Sequence, residues 1–200
     1  MAAMRTVKSM LYALLLTSCG MALGGCLDFD HLQIHLDIGE RLSGEVTLRI
    51  VGIRSDEASP KAQREEMRKF YEGEGLKLAE SAAAQWGLDD PQISFLNKTD
   101  LRCDVEIKGK FENLVRSLAP MTETCDFQIS KGRERFSVTL LSGENWRKCM
   151  NDKPFTFSVR YGGAVASHNA HIYEPDPGLM TWESSEFNAE GIRFVLAFED

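Results

Sequence analysis

Past Leu27 the chain has no apolar run approaching the roughly 20 residues that a bilayer-crossing helix needs, and it has no run of basic side chains. It has no repeated unit, which excludes a solenoid or propeller, and no proline- or glycine-rich tract that would divide it into two domains. Five cysteines in 200 residues are too few for a disulfide-built scaffold, and a chain of this length buries enough apolar surface to fold without one. Acidic residues are absent from the first 25 positions, which contain Arg5 and Lys8. Those are two of the chain's 23 basic residues, so the remainder carries 21 basic against 30 acidic side chains, a net charge of −9. Such a domain is expected to bind neither nucleic acid nor anionic lipid head groups.

What the N-terminus does contain reads as an export signal. Arg5 and Lys8 form a short positive region, Ser9 to Leu27 are uncharged, and Met10 to Leu16 form a compact apolar stretch. This is the layout of a secretory signal. A transmembrane anchor is the rival reading, but Thr17-Ser18-Cys19-Gly20 and Gly24-Gly25 interrupt the run and lower its helix propensity. The segment closes on Leu23-Gly24-Gly25-Cys26, which resembles the lipobox of bacterial lipoproteins: a branched apolar residue, two small ones, then the cysteine that is acylated. Residues 1–25 are therefore expected to be a lipoprotein signal peptide and 26–200 a single domain lipidated on Cys26. Leu16-Thr17-Ser18-Cys19 is a second match and makes Cys19 the alternative anchor. Several acyl chains on one cysteine hold a protein durably on a membrane. Leu27, rather than aspartate, follows Cys26, which points to the outer membrane.

The domain reads as α+β with a largely antiparallel sheet. Leu27 to Ile38 alternates apolar and polar residues, with a change of phase that predicts a bulge near Asp30-His31; Glu45 to Ile53 returns, making an N-terminal hairpin. Ser59-Pro60 starts a long helix that runs to Trp86, which Gly73 and Gly75 would kink or divide. Strands are expected at Pro91 to Leu96 and Leu101 to Lys108, and a short helix at Phe111 to Leu118. Six more strands follow: Cys125 to Ser130, Arg135 to Leu141, Phe155 to Tyr161, Ala164 to Ile172, Leu179 to Trp182 and Ile192 to Phe198.

Chemistry is sparse. His31 and His35 share a strand face but lie about 13 Å apart at roughly 3.3 Å per residue, too far to close one metal site, and His168 and His171 should face opposite ways in their strand. No serine sits in a Gly-x-Ser-x-Gly elbow, and Gly162-Gly163 has neither a Walker lysine nor a following helix. No catalytic residue, metal ligand or cofactor is expected. Asn97-Lys98-Thr99 matches the glycosylation sequon, which a bacterial lipoprotein does not normally meet. With Cys26 acylated, export places the other cysteines in an oxidising space. Cys125 opens a hairpin and Cys149 lies in the loop that returns to its base, so a Cys125–Cys149 disulfide is expected, with Cys103 a small core residue.

The order of features resembles the LppM-type lipoproteins, a bacterial family. The lipobox cysteine leads directly into a strand hairpin and then a helix. Tyr161-Gly162-Gly163-Ala164-Val165 and Ser167-His168-Asn169, followed by Met180-Thr181-Trp182, look like that family's Pro-Gly, asparagine and Thr-x-Trp stretch, with Gly162 where proline is usual. The resemblance implies an α+β domain without an enzymatic site, and a fold that has been likened to lipid-binding domains. The expected function is a membrane-anchored envelope lipoprotein, non-enzymatic, that binds a lipid-like ligand or an envelope protein partner. The alternatives are a structural or assembly lipoprotein without a small ligand, or a hydrolase.

Overall fold

A computed structural model describes residues 27–39, 41–118, 127–132, 135–140, 153–184 and 191–197. Seven strands and an added short one form the larger sheet: β1 (Leu27–Asp28), β2 (His31–Ile38), β3 (Gly44–Ser55), β4 (Asp89–Leu96), β5 (Arg102–Phe111), β8 (Phe155–Tyr161), β10 (Ile172–Glu174) and β11 (Leu179–Glu183). Their order is β10-β11-β8-β2-β3-β5-β4, with β1 paired to β3. The smaller sheet is ordered β6 (Phe127–Lys131), β7 (Arg135–Leu140), β12 (Ile192–Ala197) and β9 (Val165–His168).

The expected hairpin forms the middle of the large sheet. β2 and β3 pair antiparallel from His31↔Val51 to Ile38↔Gly44. On its other side β2 pairs with β8, in parallel, from Leu32↔Phe155 to Ile38↔Tyr161. The phase change is a break between β1 and β2: Leu27 and Phe29 are buried ahead of it, and Leu32, Leu36 and Ile38 after it. Opposite the break, β3 bulges at Gly52, whose φ of 73° suits glycine. A Cβ there would run into the Asp30 carboxylate.

One register fixes one buried face. Ile34 stands between Leu48 and Phe157, and Leu36 between Val46 and Val159, all buried. Because strand side chains alternate, this face collects the apolar residues of every central strand. The helices cover one part of it. α1 (Pro60–Lys69) starts as expected, with the Ser59 side chain accepting from the Ala62 amide. A π-helical segment (Phe70–Glu74) follows, in which Gly73 has a φ of 147°, then α2 (Gly75–Gln85) with Trp86 as its C-cap. Met67, Phe70, Leu78, Ala79 and Trp86 are buried. The small sheet covers another part: the rings of Phe157 and Trp182 lie 6.5 and 5.7 Å from that of Phe194 on β12.

Two expected elements change shape. Phe111 ends β5 opposite Gly44 instead of opening a helix. The short helix α3 covers 114–118 because Asn113 caps it, accepting from the Val115 amide at 3.0 Å. The strand expected from Ala164 to Ile172 is split between the two sheets. β9 pairs with β12 in the small sheet and β10 with β11 in the large one, so His168 and His171 do not share a strand. Asn169 makes the crossing. Its Oδ1 accepts from the Trp182 indole at 3.0 Å and from the Arg193 amide at 2.7 Å, and its Nδ2 donates to the Gly191 carbonyl at 2.9 Å. Tyr161 adds a second tie between the sheets, its hydroxyl donating to the Ala197 carbonyl at 2.8 Å.

Candidate functional site

With the helices and the small sheet on one face, the opposite face of the large sheet is left to the intervening side chains of each strand. In one cross-strand row stand Leu179, Arg160, Asp37, Glu45, Lys110 and Asp89; in the next, Thr181, Ser158, His35, Thr47, Lys108 and Gln92. A third row runs Glu183, Thr156, Gln33, Arg49, Glu106 and Ser94. None of these residues is buried. The face is largely polar, of mixed sign and without Phe, Tyr or Trp in these rows.

Several of its charges are paired within the sheet. Arg160 reaches Asp37 at 3.1 Å and Lys108 reaches Glu106 at 2.8 Å. Arg49 reaches the buried Asp104 at 2.9 Å, and Asp104 also accepts from the Gly52 amide and from the Asn97 side chain. Burial pushes the Asp104 carboxyl up, but those three donors outweigh it and hold the carboxyl below the usual aspartate range. Asn97, the first residue of the sequon, is thus engaged in the fold. At the start of the domain Asp28 binds Arg54 at 3.1 Å and Lys153 at 2.5 Å, while Asp30 binds Arg54 and Arg102.

The histidines divide between faces and roles. His31 and His35 both point to the open face. The Nε2 of His31 lies 2.9 Å from the Thr156 hydroxyl. Burial lowers the pKa of both rings, the Arg160 charge adding to the effect at His35. A hydroxyl beside an imidazole is the start of a nucleophile–base pair, but that chemistry also needs a group that orients the ring. Among the described residues nothing binds the other nitrogen of His31. The Nδ1 of His168 accepts from the Ala170 amide, and that of His171 from the Glu183 amide. Among the described residues no group of three His, Cys, Asp or Glu side chains is placed to hold a metal ion, and no helix is long and apolar enough to cross a membrane.

Two hollows differ in character. The apolar one lies between the sheet and the helices, lined by Leu27, Phe29, Ile53, Phe70 and Leu78 among others, and measures about 20 Å³. That is room for about one water molecule, far from an acyl chain. The polar one is on the open face, lined by Glu45, Asp89, Asp90, Gln92, Lys108, Gly109 and Lys110, and measures about 260 Å³.

No protein-family model matches the chain, and no curated protein matches it. Among solved structures, the NMR structure of the folded domain of Mycobacterium tuberculosis LppM is similar at 11% identity, over 85% of this chain and 90% of that one, with a TM-score of 0.43. A mutant two-domain M1 zinc metallopeptidase bound to L-tryptophan is similar at 12% identity with a TM-score of 0.28. This chain spans 86% of its own length there but 42% of the peptidase. Both TM-scores fall below 0.5, so the functional reading below rests on the chain's own residues.

Cys26, Cys19, Cys125 and Cys149 lie outside the described residues. Cys103 is buried with a free thiol, and burial raises its pKa to about 11. The β6–β7 hairpin that the disulfide argument requires is present, with Phe127 opposite Leu140 at its base. Two of the residues quoted for the family resemblance meet: Asn169 and Trp182 form one of the contacts that join the two sheets. What sequence reasoning missed is the polar hollow. Its one signal was Pro91 directly after Asp89-Asp90, a residue that interrupts strand pairing and commonly marks a bulge.

Proposed function

We propose that this chain is a lipid-anchored protein of the bacterial envelope, held by Cys26, and that its domain acts by binding rather than by catalysis, through the open polar face of its large sheet. The anchor rests on the signal segment and lipobox. The choice of surface rests on one observation: the apolar face is covered by helices and a second sheet, while the opposite face offers charged and hydrogen-bonding side chains to solvent.

The partner is then an envelope protein or the polar head of a lipid-like ligand. Among the described residues the apolar cavity, at about 20 Å³, leaves no room for a lipid tail. Photo-crosslinking in intact cells tests the surface. A photoreactive residue at the exposed Gln33, on the open face, should give a discrete adduct; one at Gln128, on the outer side of the small sheet, should not. Adducts from Gln128 alone would place the working surface elsewhere.

A further inference from the structure

The polar hollow owes its shape to a strand irregularity. β4 and β5 pair as Asp89↔Lys110 and then as Gln92↔Lys108, a slip of one residue. The extra residue is accommodated at Asp90, with φ of 46°, followed by Pro91, which has no amide hydrogen to give to the ladder. The slip bends the edge strand beside β5 and leaves the 260 Å³ space on the open face.

The charges around it are unusual for this face. Glu45, Lys110 and Asp89 stand in one cross-strand row, where opposite charges normally pair. Yet among the described residues Lys110, Glu45, Asp89 and Asp90 form no ion pair, whereas Arg160–Asp37, Arg49–Asp104 and Lys108–Glu106 do. Carboxylates therefore line the hollow beside the Lys110 ammonium group, which makes no direct ion pair with them among the described residues. A bare metal ion does not fit, because no three ligands are placed to hold one among the described residues. A simple anion does not fit either, because three carboxylates border the space.

We propose that this hollow binds a small zwitterion, with its ammonium group toward Asp89, Asp90 and Glu45 and its carboxylate or phosphate toward Lys110. The inference rests on the reading of the open face as the working surface and names the chemistry bound there. Two envelope sources carry that chemistry: a free peptide, and the phosphoethanolamine head of a phospholipid.

The test is a titration of the full-length, 15N-labelled chain in detergent micelles with O-phosphoethanolamine and with glycylglycine. Saturable amide shifts should cluster at residues 45, 89–92 and 108–110. Ethanolamine alone and inorganic phosphate alone should each bind more weakly. Asp89→Asn and Lys110→Gln should each weaken binding about fivefold, what one exposed charge pair contributes, while Arg64→Gln on α1 should leave it unchanged. Preference for phosphatidylethanolamine over phosphatidylcholine vesicles would assign the source to a head group; tighter binding of glycylglycine would assign it to a peptide. Equal binding of phosphate alone, shifts away from the hollow, or no saturation at millimolar ligand would overturn the proposal. A crosslink from Gln33 with no such saturation would leave the open-face reading standing and remove this site from it.

Discussion

Asn169→Ala should be among the most damaging single changes outside the apolar core. The side chain accepts from the Trp182 indole and the Arg193 amide and donates to the Gly191 carbonyl. Trp182 is fully buried, so its N–H would be left without a partner, at about 1–3 kcal/mol. The Arg193 amide is exposed enough for water to replace its partner, at about 1 kcal/mol or less. The expected loss is about 3 kcal/mol, which for a chain of this size lowers Tm by roughly 6–12 °C. Urea unfolding followed by circular dichroism measures it. The decisive form is a double-mutant cycle with Trp182→Phe, which removes the indole N–H and keeps a ring against Phe157 and Phe194. In that background Asn169→Ala should cost about 1–2 kcal/mol less. Strict additivity would refute the claim that the asparagine acts through the tryptophan.

Further outcomes follow from the titrating groups and cysteines. Burial depresses the pKa of His31 and His35 in the fold. Their stability contribution is therefore complete above the unfolded value of about 6.5 and is lost as pH falls through the folded values, since the unfolded chain takes up protons that the fold refuses. The urea midpoint should drop between pH 7.5 and 5.5, and less so in a His31→Gln, His35→Gln double variant; an equal drop in both would sink this reading. With its thiol pKa raised to about 11, Cys103 should resist iodoacetamide at pH 8 in the native protein and react in denaturant, as peptide mass spectrometry would show. Peptide mapping without reduction should recover a Cys125–Cys149 pair, closing a loop of about 25 residues and contributing roughly 3 kcal/mol. A Cys103–Cys125 peptide would contradict both the pairing and the buried free thiol.

Local pattern made the strands legible where one face is buried. The alternation in Leu32 to Ile38 and in Phe155 to Tyr161 told which side chains point inward, and the structure buries them. That these two strands are parallel neighbours, more than a hundred residues apart in sequence, has no local signal, because side-chain period is the same for any partner. The break at Asn169 was hidden for a related reason: Val165 to His168 and Ile172 to Glu174 both read as extended chain, and the tertiary bonds of Asn169 that mark the crossing between the sheets have no local signal. Ser59-Pro60 was readable as a helix start because capping is local, whereas Phe111 was misassigned because pairing with Gly44 extended β5 past it. The polar hollow depends on a one-residue slip between β4 and β5, a tertiary feature that residue types alone do not locate.

Metabolic labelling with a palmitate analogue tests the anchored-protein account most directly. The wild-type chain should take up label and fractionate with membranes, Cys19→Ser should behave identically, and Cys26→Ser should lose the label and remain unprocessed or soluble. Label retained in Cys26→Ser but lost in Cys19→Ser would move the anchor seven residues upstream. Absence of label from the wild-type chain would contradict the account at its root.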